Sequence, residues 1–116
     1  MNVIVQFDTN KIANKISRNL TAKSQPALDN QVLKDSNYHI PFDVGTLRDS
    51  GINGSVIGKG IVRWDAPYAH SLYYGSQALN TSSKEGNPNA RHKWFEVAKA
   101  SKIKDWLKVV QRANSR

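Results

Sequence analysis

The groups in this chain that could do chemistry are three histidines, a few serines and three acids near turn residues, and their spacing argues against catalysis. His39, His70 and His92 show no two-histidine helical spacing of the zinc-hydrolase kind, and no acid cluster accompanies them. Exposed or locally hydrogen-bonded histidine is the ordinary reading. Ser50 and Ser71 lack a nucleophile-elbow context. Asp43, Asp49 and Asp65 would suit a divalent cation, as in a metal-dependent nuclease, if the fold gathered them. Asp43 beside Gly45 more simply accepts hydrogen bonds from turn N–H groups, and Arg48 is near enough to Asp43 and Asp49 for a structural ion pair. Gly58-Lys59-Gly60 lacks the Walker spacing and reads as a tight turn. With no cysteine, disulfides and thiolate ligands are excluded. No catalytic residue, metal ligand or cofactor site emerges.

Charge is the other chemical feature. The 116 residues carry a net charge of +8, which invites nucleic acid or acidic protein surfaces. Nine basic residues lie between Lys84 and Arg116 against three acids. Lys99, Lys102, Lys104, Lys108 and Arg112 fall on the polar faces of the C-terminal segment, where they form either a solvated helix surface or a patch for a partner or phosphates. Cations interleaved with Trp94, Phe95 and Trp106 also suit single-stranded nucleic acid. These aromatics share apolar stripes with Val97, Ile103 and Leu107, so core is the better reading. Contact with DNA would then be phosphate-driven and non-specific.

The elements that must position these groups follow from periodicity. Val3, Val5 and Phe7 alternate with Asn2, Ile4 and Gln6, predicting a half-buried strand. Asp8 or Thr9 caps a helix whose inner face carries Ile12, Ile16 and Leu20. Pro26 breaks it, and Ser24 or Gln25 starts a second helix bearing Ala27, Leu28, Val32 and Leu33 and ending near Asn37. Asn37 to Asp49 is expected to be a loop. Ile52, Gly54 and Val56 form one strand and Ile61 to Trp64 another, joined by Gly58-Lys59-Gly60 into a hairpin rooted by Trp64. Pro67 to Tyr74 is helical or compactly coiled, and Ser76 to Arg91 is a long polar loop, mobile in the free protein.

The C-terminal segment carries a phase error. Trp94, Val97 and Ala98 share one helical face, and Ile103, Trp106, Leu107 and Val110 another, nearly opposite at ~100° per residue. Either the helix breaks near Ser101, or one continuous helix buries its first half at home and its second against a neighbour. One domain of this length, 1–116, supports a single core. No apolar run approaches the ~18 residues of a membrane span and no secretory signal is legible, so a soluble, cytoplasmically made protein is expected.

Four motifs in order carry a resemblance. They are the segment from Ile40 to Ser50, then Asp65-Ala66-Pro67-Tyr68-Ala69, then Tyr73-Tyr74-Gly75, and finally Trp94-Phe95 with Ala98. Over roughly residues 30–107 the chain resembles the minor capsid and neck proteins (head–tail connector or tail-completion-like) of long-tailed bacteriophages. The matching residues are Pro41, Asp43, Gly45, Leu47, Arg48 and Ser50, then Pro67, Tyr68, Ala69, Tyr74 and Gly75, then Trp94. Pro41 would stiffen the exit from the preceding helix, Gly45 would permit a positive φ, and Leu47 would anchor the segment inward. The stretch Ser76–Arg91 has no counterpart in that family.

The resemblance implies an α+β subunit, its N-terminal helices and C-terminal helix packed on a small antiparallel sheet with one β-hairpin. It implies a structural virion protein, made and assembled in the host cytoplasm and not an enzyme. Such a protein would form a closed ring, sixfold to suit a tail, in the neck between capsid connector and tail. Its partners would be copies of itself, neighbouring connector and tail proteins, and at most non-specific DNA, with no membrane. A small basic nucleic-acid-binding protein and a capsid accessory protein are the alternatives.

Overall fold

The computed structural model describes residues 4–40, 46–75 and 89–115. In chain order these form β1 (Val5–Asp8), a 3-10 turn (Thr9–Lys11), α1 (Asn14–Ser17), α2 (Ser24–Asn37), α3 (Thr46–Gly54), β2 (Ile61–Trp64), α4 (Ala69–Tyr74) and α5 (Trp94–Asn114). The expected α+β class holds. β1 and β2 pair antiparallel, with Val5 opposite Trp64 and Phe7 opposite Val62. That register puts Val5, Val62 and Trp64 on the buried face, while Gln6 and Arg63 bond each other on the outer one.

The N-terminal strand ends where Asp8 accepts from the Asn10 N–H at 2.9 Å and opens the 3-10 turn. The helix expected from Ile12 to Leu20 contracts to the single turn α1. Ala13 is extended, with φ −162°, so the backbone changes direction between the 3-10 turn and α1. Ile12 and Ile16 nevertheless reach the core, and Leu20 packs at its edge. α2 begins at Ser24 with Pro26 in its first turn, where a missing N–H costs nothing, and buries Leu28, Val32 and Leu33.

The segment after α2 departs from expectation. Thr46 to Gly54 is helix α3, although Asn37 to Asp49 reads as loop and Ile52, Gly54 and Val56 read as strand. The decisive spacing is Leu47 to Gly51, one helical turn, both buried. Ile52 and Val56 point outward instead, at 56 % and 41 % exposure. Gly51 lets α3 press against the core: a Cβ there would strike the Trp64 indole and lie 3.1 Å from Leu33 Cδ1. The expected hairpin accordingly shrinks to one bridge, Val56 opposite Ile61, and β2 takes β1 as its partner. The turn itself is where Gly58-Lys59-Gly60 places it, with φ of 94° at Gly58 and 80° at Gly60.

A buried carboxylate fixes that turn. Asp29, on α2 and fully buried, accepts from the N–H groups of Gly58 at 2.8 Å and Gly60 at 3.0 Å through Oδ2. Its Oδ1 accepts from Thr9 Oγ1 at 2.5 Å and from Gln25 Nε2 at 3.0 Å. Gln25 Nε2 also donates to Thr9 Oγ1 at 2.8 Å, closing a small network. One side chain thus ties α2, the 3-10 turn and the approach to β2 together, with both of its oxygens satisfied.

The aromatic core spans the sheet and α5. Phe7 stacks on Phe95 at 4.1 Å, and Trp94 meets Trp64 and Tyr73 edge to face at 5.8 and 4.7 Å. Two indoles are pinned to the last turn of α2: Trp64 Nε1 donates to Asn37 Oδ1 at 2.9 Å and Trp106 Nε1 to Asp35 Oδ2 at 2.7 Å. α5 is a single helix with no break at Ser101. Trp94 and Ala98 are buried, and so are Trp106 and Val110. Phe95 lies between the two stripes in helical phase, so the buried face swings by roughly 90° along the helix instead of reversing. Ile103 and Leu107 mark the outer margin and stay half-buried.

Two outcomes test this packing. Asp29→Asn turns an NH2 toward backbone or side-chain donors, and the loss in urea unfolding is expected to be on the order of 3 kcal/mol. A loss below about 1 kcal/mol would contradict the network. Gly51→Ala is expected to cost about 1–3 kcal/mol through overpacking against Trp64, although alanine is the better helix former. A stabilised variant would show that α3 does not press on the indole.

Candidate assembly surface

The residues singled out by sequence divide into scaffold and surface. Pro41, Asp43 and Gly45 lie outside the described residues. Leu47, Ala69 and Trp94 are buried, so they hold the core. Ser50 Oγ donates to the Leu47 carbonyl at 2.7 Å inside α3, and Arg48 is half-buried on the same helix. Pro67 and Tyr68 lead into α4, and Gly75 ends it in the left-handed region with φ 81°. Of the tyrosine pair, Tyr73 is the buried one, while Tyr74 is 52 % exposed. These motif residues chiefly shape the fold, and Tyr74 alone among those described presents a large apolar face to solvent.

The histidines serve local structure. His92 Nδ1 lies 2.6 Å from the Leu72 carbonyl and His39 Nδ1 3.1 Å from that of Asn89. A carbonyl only accepts, so Nδ1 carries the proton in both rings. His70 packs on Tyr74 at 4.6 Å. Together with the N–H of Lys93, which donates to the Tyr73 carbonyl at 2.9 Å, His92 latches residues 92–93 onto α4. Among the described residues no group of three or more histidine, aspartate or glutamate side chains could hold a metal ion.

The five basic residues of α5 do not make one patch. Lys104, Lys108 and Arg112 recur every fourth residue, so they line one exposed stripe. Lys102 turns toward the end of α2, beside Lys34 and Tyr38, and pairs with Asp105 at 4.0 Å. That pair is exposed, so it is worth only ~0–1 kcal/mol. Lys99 is half-buried near Glu96. Partial burial raises the Glu96 pKa above its ordinary 4.5, against the opposing pull of its backbone hydrogen bond and of Lys99.

Two surface features were not legible in sequence. Exposed apolar side chains stand beside each strand of the sheet. Ile52, Val56 and Ile57 lie on the α3–β2 side, and Ile4 and Tyr74 line a hollow with Gln6 and His70 on the β1–α4 side. An open apolar groove of about 330 Å³ also runs between α1 and α5, floored by Ala13, Ile16, Ile103 and Leu107 and edged by Lys15 and Lys104. No helix among the described residues is long and apolar enough to cross a membrane.

The conspicuous aromatic and motif residues mostly build the core, and apolar and basic side chains remain exposed. Neither the curated proteins nor the solved structures contain a match to this chain. A family model described as minor capsid protein does match, over residues 3–114, nearly the full length. This chain therefore belongs to the minor capsid protein family, whose members are structural components of the virion.

Proposed function

We propose that this minor capsid protein forms a closed ring, sixfold, at the bacteriophage head–tail junction, where it joins the capsid connector to the tail. What supports this reading is that exposed apolar side chains stand beside each of the two strands, on different elements. Ile52, Val56 and Ile57 lie beside β2, and Ile4 and Tyr74 beside β1. A ring closes through a heterologous interface, in which one patch of each subunit meets a different patch of the next. Exposed apolar clusters on a small domain mark such contacts. The role is structural, with no catalytic step. The stripe of Lys104, Lys108 and Arg112 then faces acidic surfaces of neighbouring neck or tail proteins. It touches DNA in transit only weakly, since a channel that gripped DNA would slow its ejection.

Particles made without the protein are expected to appear in electron micrographs as filled heads and separate tails. Normal infectious virions from such a mutant would contradict the junction role.

The interface has its own test. Ile52→Glu and Tyr74→Glu each disable one of the two patches and are expected to abolish rings in native mass measurement. Mixed together, the two variants retain one intact patch pair and are expected to form a heterodimer that neither forms alone. Unchanged assembly by either variant, or no heterodimer on mixing, would rule out this pair of patches.

A further inference from the structure

The groove between α1 and α5 has a floor and a rim of different chemistry. Its floor is aliphatic, from Ala13 and Ile16 on one side and Ile103 and Leu107 on the other. Its rim holds the exposed ammonium groups of Lys15 and Lys104, and among the described residues no carboxylate lines it. Lys108 lies one turn beyond Lys104 on the same exposed stripe, extending the positive rim along α5. Ile16 is fully buried, whereas Ile103 and Leu107 are half-buried, so apolar surface remains for a visitor to cover.

We infer that this groove is the docking site for an acidic, amphipathic segment of a partner virion protein. Aliphatic side chains of the segment enter the floor, and its carboxylates meet Lys15 and Lys104. Among the described residues no aromatic ring lines the floor, so it offers no platform on which bases would stack. A nucleic acid would leave the aliphatic floor uncovered, whereas an amphipathic helix or strand covers floor and rim at once. Charge complementarity sets the sign of the partner, since rim lysines attract carboxylates and repel basic segments. The inference rests on the assembly reading only in taking the partner to be a virion protein. The groove's chemistry holds wherever in the particle the subunit sits.

The test uses the full chain, labelled for NMR, titrated with a short synthetic peptide of alternating glutamate and leucine clusters that can form an amphipathic helix. The controls are a peptide with alanine for leucine, one with lysine for glutamate, a single-stranded oligonucleotide and vesicles of anionic phospholipid. The expected result is a set of shifts centred on Ala13, Ile16, Ile103 and Leu107 with the first peptide, and none there with the peptide controls. Lys15→Glu with Lys104→Glu changes only exposed groups, and is expected to leave the spectrum folded while weakening peptide binding by about tenfold or more. Equal shifts from the alanine peptide, shifts confined to Lys108 and Arg112, or stronger groove shifts from the oligonucleotide or vesicles would overturn the inference. Failure here would leave the junction role standing, because loss of head–tail joining in the deletion mutant is read independently of this groove.

Discussion

The structure depends on one buried carboxylate. Asp29 stands on α2 with no exposure and satisfies four donors from three separate parts of the chain. A charge in that position is tolerable only because every lone-pair direction is used, and removing any donor would leave it costly. The geometry it demands explains the turn before β2. Both Gly58 and Gly60 adopt positive φ, which lets two N–H groups converge on a single oxygen. Gly60 further leaves room for the Asn10 side-chain amide, which a Cβ would displace. With the turn fixed, β2 has its register against β1, and the sheet can receive Trp64 on its inner face.

From that anchor the packing runs outward in a consistent order. Trp64 fills the space between the sheet and α2, Gly51 admits α3 against its indole, and Trp94 of α5 meets it edge to face while itself packing on Tyr73 of α4. The last turn of α2 supplies a partner for both the Trp64 and the Trp106 N–H groups, which ties the far half of α5 to the same helix. Several residues that the family resemblance marks sit in this core, and of the marked residues described Tyr74 is the one with a large apolar face in solvent. Motif residues such as Leu47, Ala69 and Trp94 hold the shape of the subunit, while Ile52, Ile57 and the α1–α5 groove leave apolar surface at its exterior.

Much of the fold was legible where a single periodicity ruled. The β1 alternation, the start of α2 at Ser24 with Pro26 in its first turn, β2, and the turn at Gly58 to Gly60 all follow from local chemistry. The failures share a cause. Around α3 the apolar residues visible in sequence, Ile52 within it and Val56 just after it, face outward, and the inner face of the helix is written in Leu47 and a glycine, which carries no hydrophobic signal. In α5 the buried stripe precesses, so two local phases read as a contradiction when Phe95 and Trp106 join them into one curved band. Asp29 was invisible because three of its four partners are 20 to 31 residues away and two of those are backbone N–H groups. The groove between α1 and α5 needed the tertiary fold to exist at all.

The account's central claim is that this subunit repeats around an axis where head meets tail. Cryo-electron microscopy of the intact virion tests it most directly, because the α2–α5 helix pair is long enough to be recognised in density. The account predicts six copies in a ring at the head–tail junction, with the α3–β2 side of each subunit against the β1–α4 side of the next. Copies scattered on the capsid shell, or a junction whose density accommodates no such subunit, would contradict it.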